Sequence, residues 1–172
     1  LSVMLRLVKL VGPLVPVMVA AVVLGVAGFL AAIFLTVVGA LAMVGIAGFP
    51  HGLAVGVAIA LVAVCGLVRG PLHYGEQMCN HYLAFKILAL VRDRVFGKLR
   101  TLAPAKLEGR SKGDLVSLVT SDVELLEVFY AHTVSPICIA VLVSLAVFLF
   151  VGSVSSWYLA LVALVGYLFI GI

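Results

Sequence analysis

Apolar residues run without a single charged interruption over positions 10–68 and again over 128–172. Between them, residues 69–127 hold sixteen of the eighteen charged side chains, nine basic and all seven acidic. Apolar runs well beyond about 18 residues cross a membrane as helices. No stretch alternates apolar and polar residues with period two, which a membrane β-barrel requires. Only helices then satisfy the backbone in lipid. The pattern therefore predicts an all-α membrane protein, with two hydrophobic blocks joined by one water-facing block.

In chain order, Arg6 and Lys9 among leucines and valines predict an interfacial helix over 1–12. A first span is expected at about 14–40, starting at Pro13 and Pro16, which a first helical turn tolerates. Its small residues Gly25, Ala27, Gly28, Ala31 and Ala32 permit close helix packing. Residues 48–52, Gly-Phe-Pro-His-Gly, read as a far-side turn. The next helix starts near Leu53 and has no stop signal before Leu102-Ala-Pro-Ala105. As one piece it is about 75 Å long, so its second half projects into water, and Gly70-Pro71 is a candidate kink. Phe85, Leu88, Val91, Val95 and Leu99 give that half an apolar stripe.

A short helix is expected within 103–122, opened by Asp114 and carrying Leu115 and Leu118 on its apolar side. A return helix and third span follow over 123–151, with Pro136 inside. Residues 152–156, Gly-Ser-Val-Ser-Ser, read as a second far-side turn. Trp157 and Tyr158 mark an interface where a fourth span starts, at 157–172.

Composition sharpens this reading in three ways. A 65% hydrophobic, 10% charged chain lies far outside the soluble range. Cys65, Cys79 and Cys138 are scattered in apolar surroundings and read as inert thiols. The first apolar run is too long for a cleaved signal peptide. A start at Leu1 and an ending inside an apolar run read as an N-terminal fragment of a longer protein. Arg6, Lys9 and the seven bases from Arg92 to Lys112 fall on one side of the predicted spans, which places the N-terminus and the charged block in the cytoplasm.

Long helices projecting into the cytoplasm around a short connecting helix suit the transfer of movement between a membrane and a soluble partner. The residues Arg69…Tyr74-Gly-Glu76, Asn80-His81…Phe85…Leu88…Leu90-Val-Arg92, Leu102-Ala-Pro-Ala105, Gly113-Asp-Leu115, Asp122-Val123 and Tyr130…Ser135-Pro136 carry a resemblance. The chain resembles the first half of a type 1 ABC exporter transmembrane domain, and within that family the CydC subunit of the heterodimeric CydDC transporter. The resemblance covers most of 69–136. It implies alternating access driven by ATP and magnesium on a nucleotide-binding domain, and a CydD-like second half-transporter as partner. It further implies residence in a bacterial inner membrane and a cargo of thiols (cysteine, glutathione) or haem for cytochrome bd assembly. It makes the short helix a coupling helix, with Gly113, Asp114, Leu115, Leu118 and Asp122 contacting the nucleotide-binding domain. Leu118 departs from the family, which often has arginine there. No Gly-x-x-x-x-Gly-Lys-Ser/Thr loop occurs in this sequence, so no phosphate-binding loop for ATP lies within it.

Arg69, His73, Glu76 and Asn80 are spaced to share one helix face. Ionisable groups at membrane depth are costly and mark a pathway or an internal pair. They are therefore either a polar wall of the translocation path or, for Arg69 and Glu76, an internal ion pair. The resemblance carries haem ligation onto His81, with His132 as a candidate second ligand. The residues themselves supply only single histidines at no fixed spacing. The basic cluster Lys98–Lys112 adjoins membrane and is interspersed with acids, which suits anionic lipid and not nucleic acid. A non-transporting helical scaffold, or a haem-binding membrane protein of another kind, stays open on the residues alone.

Overall fold

The computed structural model describes residues 12–49, 53–102 and 133–170, together with positions 113, 117, 120, 121, 125 and 129. Every described element is helical. A 3-10 turn, Gly12–Leu14, leads into α1, Val15–Ile46. Helix α2 spans Val55–Leu102, α3 Ser135–Val154 and α4 Trp157–Ile170. The six isolated described positions from 113 to 129 are helical as well. Among the described residues, three helices are long and apolar enough to cross a membrane, and α4 is a shorter apolar helix. This is the all-α membrane architecture expected from the hydropathy pattern. The expected interfacial helix over 1–12, and His51 in the first turn, lie outside the described residues, apart from Gly12.

Each helix end has a local cause. Leu41-Ala-Met-Val44 gives α1 no reason to stop near residue 40, so the helix runs on to Ile46. It ends where Gly48 takes φ +85°, a left-handed conformation that costs glycine nothing. There Phe49 N donates to Val44 O at 3.2 Å and Gly48 N to Gly45 O at 3.0 Å, the paired bonds of a Schellman cap. Helix α2 passes through Pro71 without a break. At 48 residues it is about 72 Å long, against roughly 30 Å of hydrocarbon.

The second turn differs from the sequence expectation. Helix α3 continues to Val154, so Gly152 lies in its last turn and not in the connection. The Trp157 ring packs where a Gly152 side chain would stand, which is why glycine is compatible with helix there. Only Ser155 and Ser156 separate α3 from α4, and Ser156 Oγ accepts from Leu159 N at 3.2 Å as the N-cap.

The chain divides into two compact units, one of Leu1–Ala21 and Gln77–Pro136, the other of Val22–Glu76 and Ile137–Ile172. In the first, Leu14, Leu83 and Ile87 form the buried core, with Met18, Leu90, Val91, Phe129 and Val134 packed on it. On α2 there, Leu83 and Ile87 are fully buried and Leu90 and Val91 partly so. Of the expected stripe Val91 packs on this core, while Phe85 is 61% exposed. Around residues 82–87 apolar side chains stand on more than one face, so spacing alone does not choose the buried one.

In the second unit α1 and α2 run antiparallel in fixed register. A methyl group at Gly28 would lie 3.7 Å from Leu72 Cβ, one at Gly66 3.6 Å from Leu35, and one at Gly39 4.0 Å from Val62. Steps of seven and four residues along α1 are met by steps of six and four back along α2, as in interdigitating helix packing. At Gly25 and Gly28, α1 brings no side chain of its own to this contact, and the Ile139 side chain of α3 stands against Gly25.

Candidate functional site

The small residues of α1 do more than let two helices touch. Opposite Gly25, Gly28 and Ala32, helix α2 presents Glu76, His73 and Arg69, and between them lies a cavity of about 90 Å³ that Phe29 also lines. A glycine on one wall and a long polar side chain on the other leave space that two larger residues would fill.

Glu76 is only 6% exposed. Its Oε2 pairs with His73 Nδ1 at 3.2 Å. Three residues apart on a helix, these side chains are neighbours. An internal pair between Arg69 and Glu76 was one of the two readings of this face. Arg69 lies two turns away, it is exposed, and it makes no ion pair among the described residues. Charge alone favours arginine as the partner, but helix geometry favours histidine. Measured along the axis from Val55, Arg69 stands about 21 Å and Glu76 about 32 Å into α2. Arg69 thus lies within roughly the first 30 Å of the helix, about the thickness of a hydrocarbon layer, and Glu76 just past it.

Asn80 continues the face into the first unit, where it is buried, and its Oδ1 has no hydrogen-bond partner among the described residues. Ser135, marked in the sequence only as part of the Ser135-Pro136 pair in the family resemblance, is fully buried in the same unit, and its Oγ has no hydrogen-bond partner among the described residues. It directly follows Val134, which packs on the Leu83 and Ile87 core.

The other expected residues are placed less completely. His81 is exposed, and its ring stacks on Phe85 with centroids 6.3 Å apart. His132 lies outside the described residues, so the two histidines are not brought together here. No group of three or more His, Cys, Asp or Glu side chains forms a metal site among the described residues. Gly113 is helical and exposed, while Asp114, Leu115, Leu118 and Asp122 lie outside the described residues. A larger groove of about 560 Å³ between α3 and α4 is lined by Val141, Leu145, Phe148 and Leu168, with Ser144 and Tyr167 its only polar members. It offers no charge to a polar solute.

The profile of the ABC transporter transmembrane region matches residues 12–172. This chain belongs to that family. A probable ABC transporter ATP-binding/permease protein of Haemophilus influenzae is 49% identical over 170 residues, which is 99% of this chain and 31% of that relative. The chain thus spans about a third of the relative's length. The glutathione/L-cysteine transport system ATP-binding/permease protein CydC of Haemophilus influenzae is 35% identical over 78 residues, 45% of this chain and 14% of that protein. Its Escherichia coli counterpart is 32% identical over 81 residues, 47% of this chain and 14% of that protein. Among the described residues, the cavity between α1 and α2 is lined by a guanidinium, an imidazole and a carboxylate, whereas the groove between α3 and α4 has no charged lining.

Proposed function

We propose that this chain is the first part of the membrane domain of an ATP-driven, CydC-like exporter whose cargo is a low-molecular-weight thiol. The observation that carries the reading is the Arg69–His73–Glu76 cavity in a chain of the ABC membrane family. The names of the CydC relatives supply the substrate class. A cysteine or glutathione molecule carries an ammonium and at least one carboxylate, and the cavity offers the Glu76 carboxylate and the Arg69 guanidinium.

In this reading the N-terminus and the distal half of α2 are cytoplasmic, in a bacterial inner membrane. Residues 103–122 form the coupling-helix loop, where Gly113, Asp114, Leu115, Leu118 and Asp122 contact a nucleotide-binding domain. ATP and magnesium bind on that domain, outside this chain. A CydD-like half-transporter completes the heterodimer. Closure of the nucleotide-binding domains pulls the coupling helix, and α2, continuous over about 72 Å, carries the movement to the cavity. Binding at the interface of moving helices near mid-membrane is the general transporter design.

Haem is the second cargo to be tested, because His81 presents an exposed imidazole able to ligate iron, with His132 as the further candidate. The test uses the full-length transporter with its partner subunit in inside-out vesicles. ATP-dependent accumulation of labelled glutathione or cysteine, lost in Arg69→Ala, is the expected result. Wild-type vesicles that accumulate neither thiol overturn it. A Soret band lost in His81→Ala would move the cargo assignment to haem.

A further inference from the structure

Two polar atoms of the first unit are sealed from solvent and have no hydrogen-bond partner among the described residues: Asn80 Oδ1 on α2 and Ser135 Oγ on α3. Asn80 is 4% exposed and Ser135 fully buried. Buried polar atoms are paired almost everywhere in folded proteins, so two left over beside one core require a cause. Both adjoin the same packed cluster, since Leu83 stands three residues from Asn80 and Val134 directly before Ser135. The helix register brings them to one level. Glu76 of α2 and Ile139 of α3 both stand against Gly25 of α1. Residues four apart share a helix face. One turn along, the same three faces carry Asn80, Ser135 and Ala21. Ala21 is fully buried and brings only a methyl group to this level.

The chain around Ser135 is built to bend. Thr133 and Val134 are π-helical, and Ser135 opens α3 with Pro136 as its next residue. A π-turn and a proline are two of the few causes of a helix kink, and proline gives the helix no amide hydrogen. We infer that Asn80 and Ser135 are the two halves of an interhelical latch, open in this structure and closed by a hydrogen bond between them when the helix bends at residues 133–136. Serine and asparagine hold membrane helices together by such bonds. Closing the latch pairs both orphaned atoms in one step. The open arrangement keeps the present packing, and the closed one gains the bond. Two discrete arrangements of one packed element are the basis of switching in general. The latch does not depend on which cargo is carried.

The test uses the full-length transporter with its partner subunit in nanodiscs. It reads the ATP concentration that half-saturates vanadate trapping, which reports the balance between the two conformations. Ser135→Ala and Asn80→Leu should each shift that concentration by about three- to tenfold in the same direction, the worth of one hydrogen bond. The double variant should shift it no further, because the two changes delete one interaction. Ser135→Thr keeps the hydroxyl and should stay at the wild-type value, which separates the latch from a packing defect. Pro136→Ala returns an amide hydrogen to the helix and opposes the bend. It should move the concentration in the same direction, and Ser135→Ala added to it should have no further effect. Single shifts that multiply in the double variant overturn the latch. So does an unmoved half-saturating concentration in the single variants, whether or not their melting temperatures fall, because both side chains would then serve packing alone.

Discussion

The two halves of α2 pack by opposite rules. Over 55–76 the helix meets α1 through glycine, with Gly25 and Gly28 facing Glu76 and His73, and the contact encloses polar space. Beyond residue 77 it meets its neighbours through Leu83 and Ile87, both fully buried against Leu14 and partners. The difference follows from the solvent each half is expected to face. In lipid no hydrophobic gain comes from helix association, so close backbone approach does the work. Where the helix has passed beyond the bilayer, burial of leucine and isoleucine has its usual value in water. One continuous helix thus has a stretch built to leave room and a stretch built to leave none.

The sharpest way to break this contrast is to give the first half a side chain. A Cβ at Gly25 would collide with Ile139 and lie 3.2 Å from Glu76 Cδ. Gly25→Leu should therefore abolish cargo-stimulated ATPase activity in the full-length transporter. It should also lower thermal stability, since overpacking of this kind costs about 1–3 kcal/mol, sometimes more. Wild-type activity and melting temperature in this variant would show that α1 and α2 do not approach as described.

The second half should respond in the reverse sense. Ile87→Ala removes a fully buried side chain from the Leu14–Leu83 cluster and should cost about 2–5 kcal/mol, seen as a lower unfolding midpoint. Its effect on the KM for glutathione should be small. A large KM change with unaltered stability would assign this cluster to the cargo path and erase the distinction.

How much of this was readable beforehand depends on whether the residue type or its partner carries the information. The membrane helices were legible because uncharged runs of this length have few other solutions. The polar face Arg69–His73–Glu76–Asn80 was legible because charges stand out in an apolar helix. The glycines of α1 were legible as packing residues, but not as the wall of a cavity, since that requires knowing what stands opposite. The buried line through Leu83 and Ile87 was not legible, because Phe85 and Tyr82 are just as apolar. Gly152 was misread as a turn because the signal for glycine in a turn and glycine under an indole is the same.

That glycine tests whether the glycine-built contact is general to the second unit. Gly152 faces Trp157, whose ring also packs at 5.8 Å from Phe148. Gly152→Ala should push the indole away and cost about 1–3 kcal/mol. Trp157 is the only tryptophan in this chain, so in this segment, expressed alone or within a longer protein whose other tryptophans have been replaced, its emission reads the displacement directly. An unchanged spectrum would mean that the ring does not occupy the space above Gly152.

The smallest effect concerns the joint four residues further on, and it separates sequence-local stability from packing. Ser156 is the N-cap of α4, with its Oγ accepting from Leu159 N at 3.2 Å. Ser156→Ala leaves that amide without its partner and should cost about 1 kcal/mol. Ser156→Asp should retain the cap and add a favourable charge at the helix N-terminus, so its stability should match or exceed the wild type. Unlike Gly152→Ala, neither change should move the Trp157 emission, because the cap acts on the backbone and not on the ring. If the alanine variant shifted the emission as far as Gly152→Ala does, the cap would be what holds the indole over α3, and the glycine contact would be its consequence.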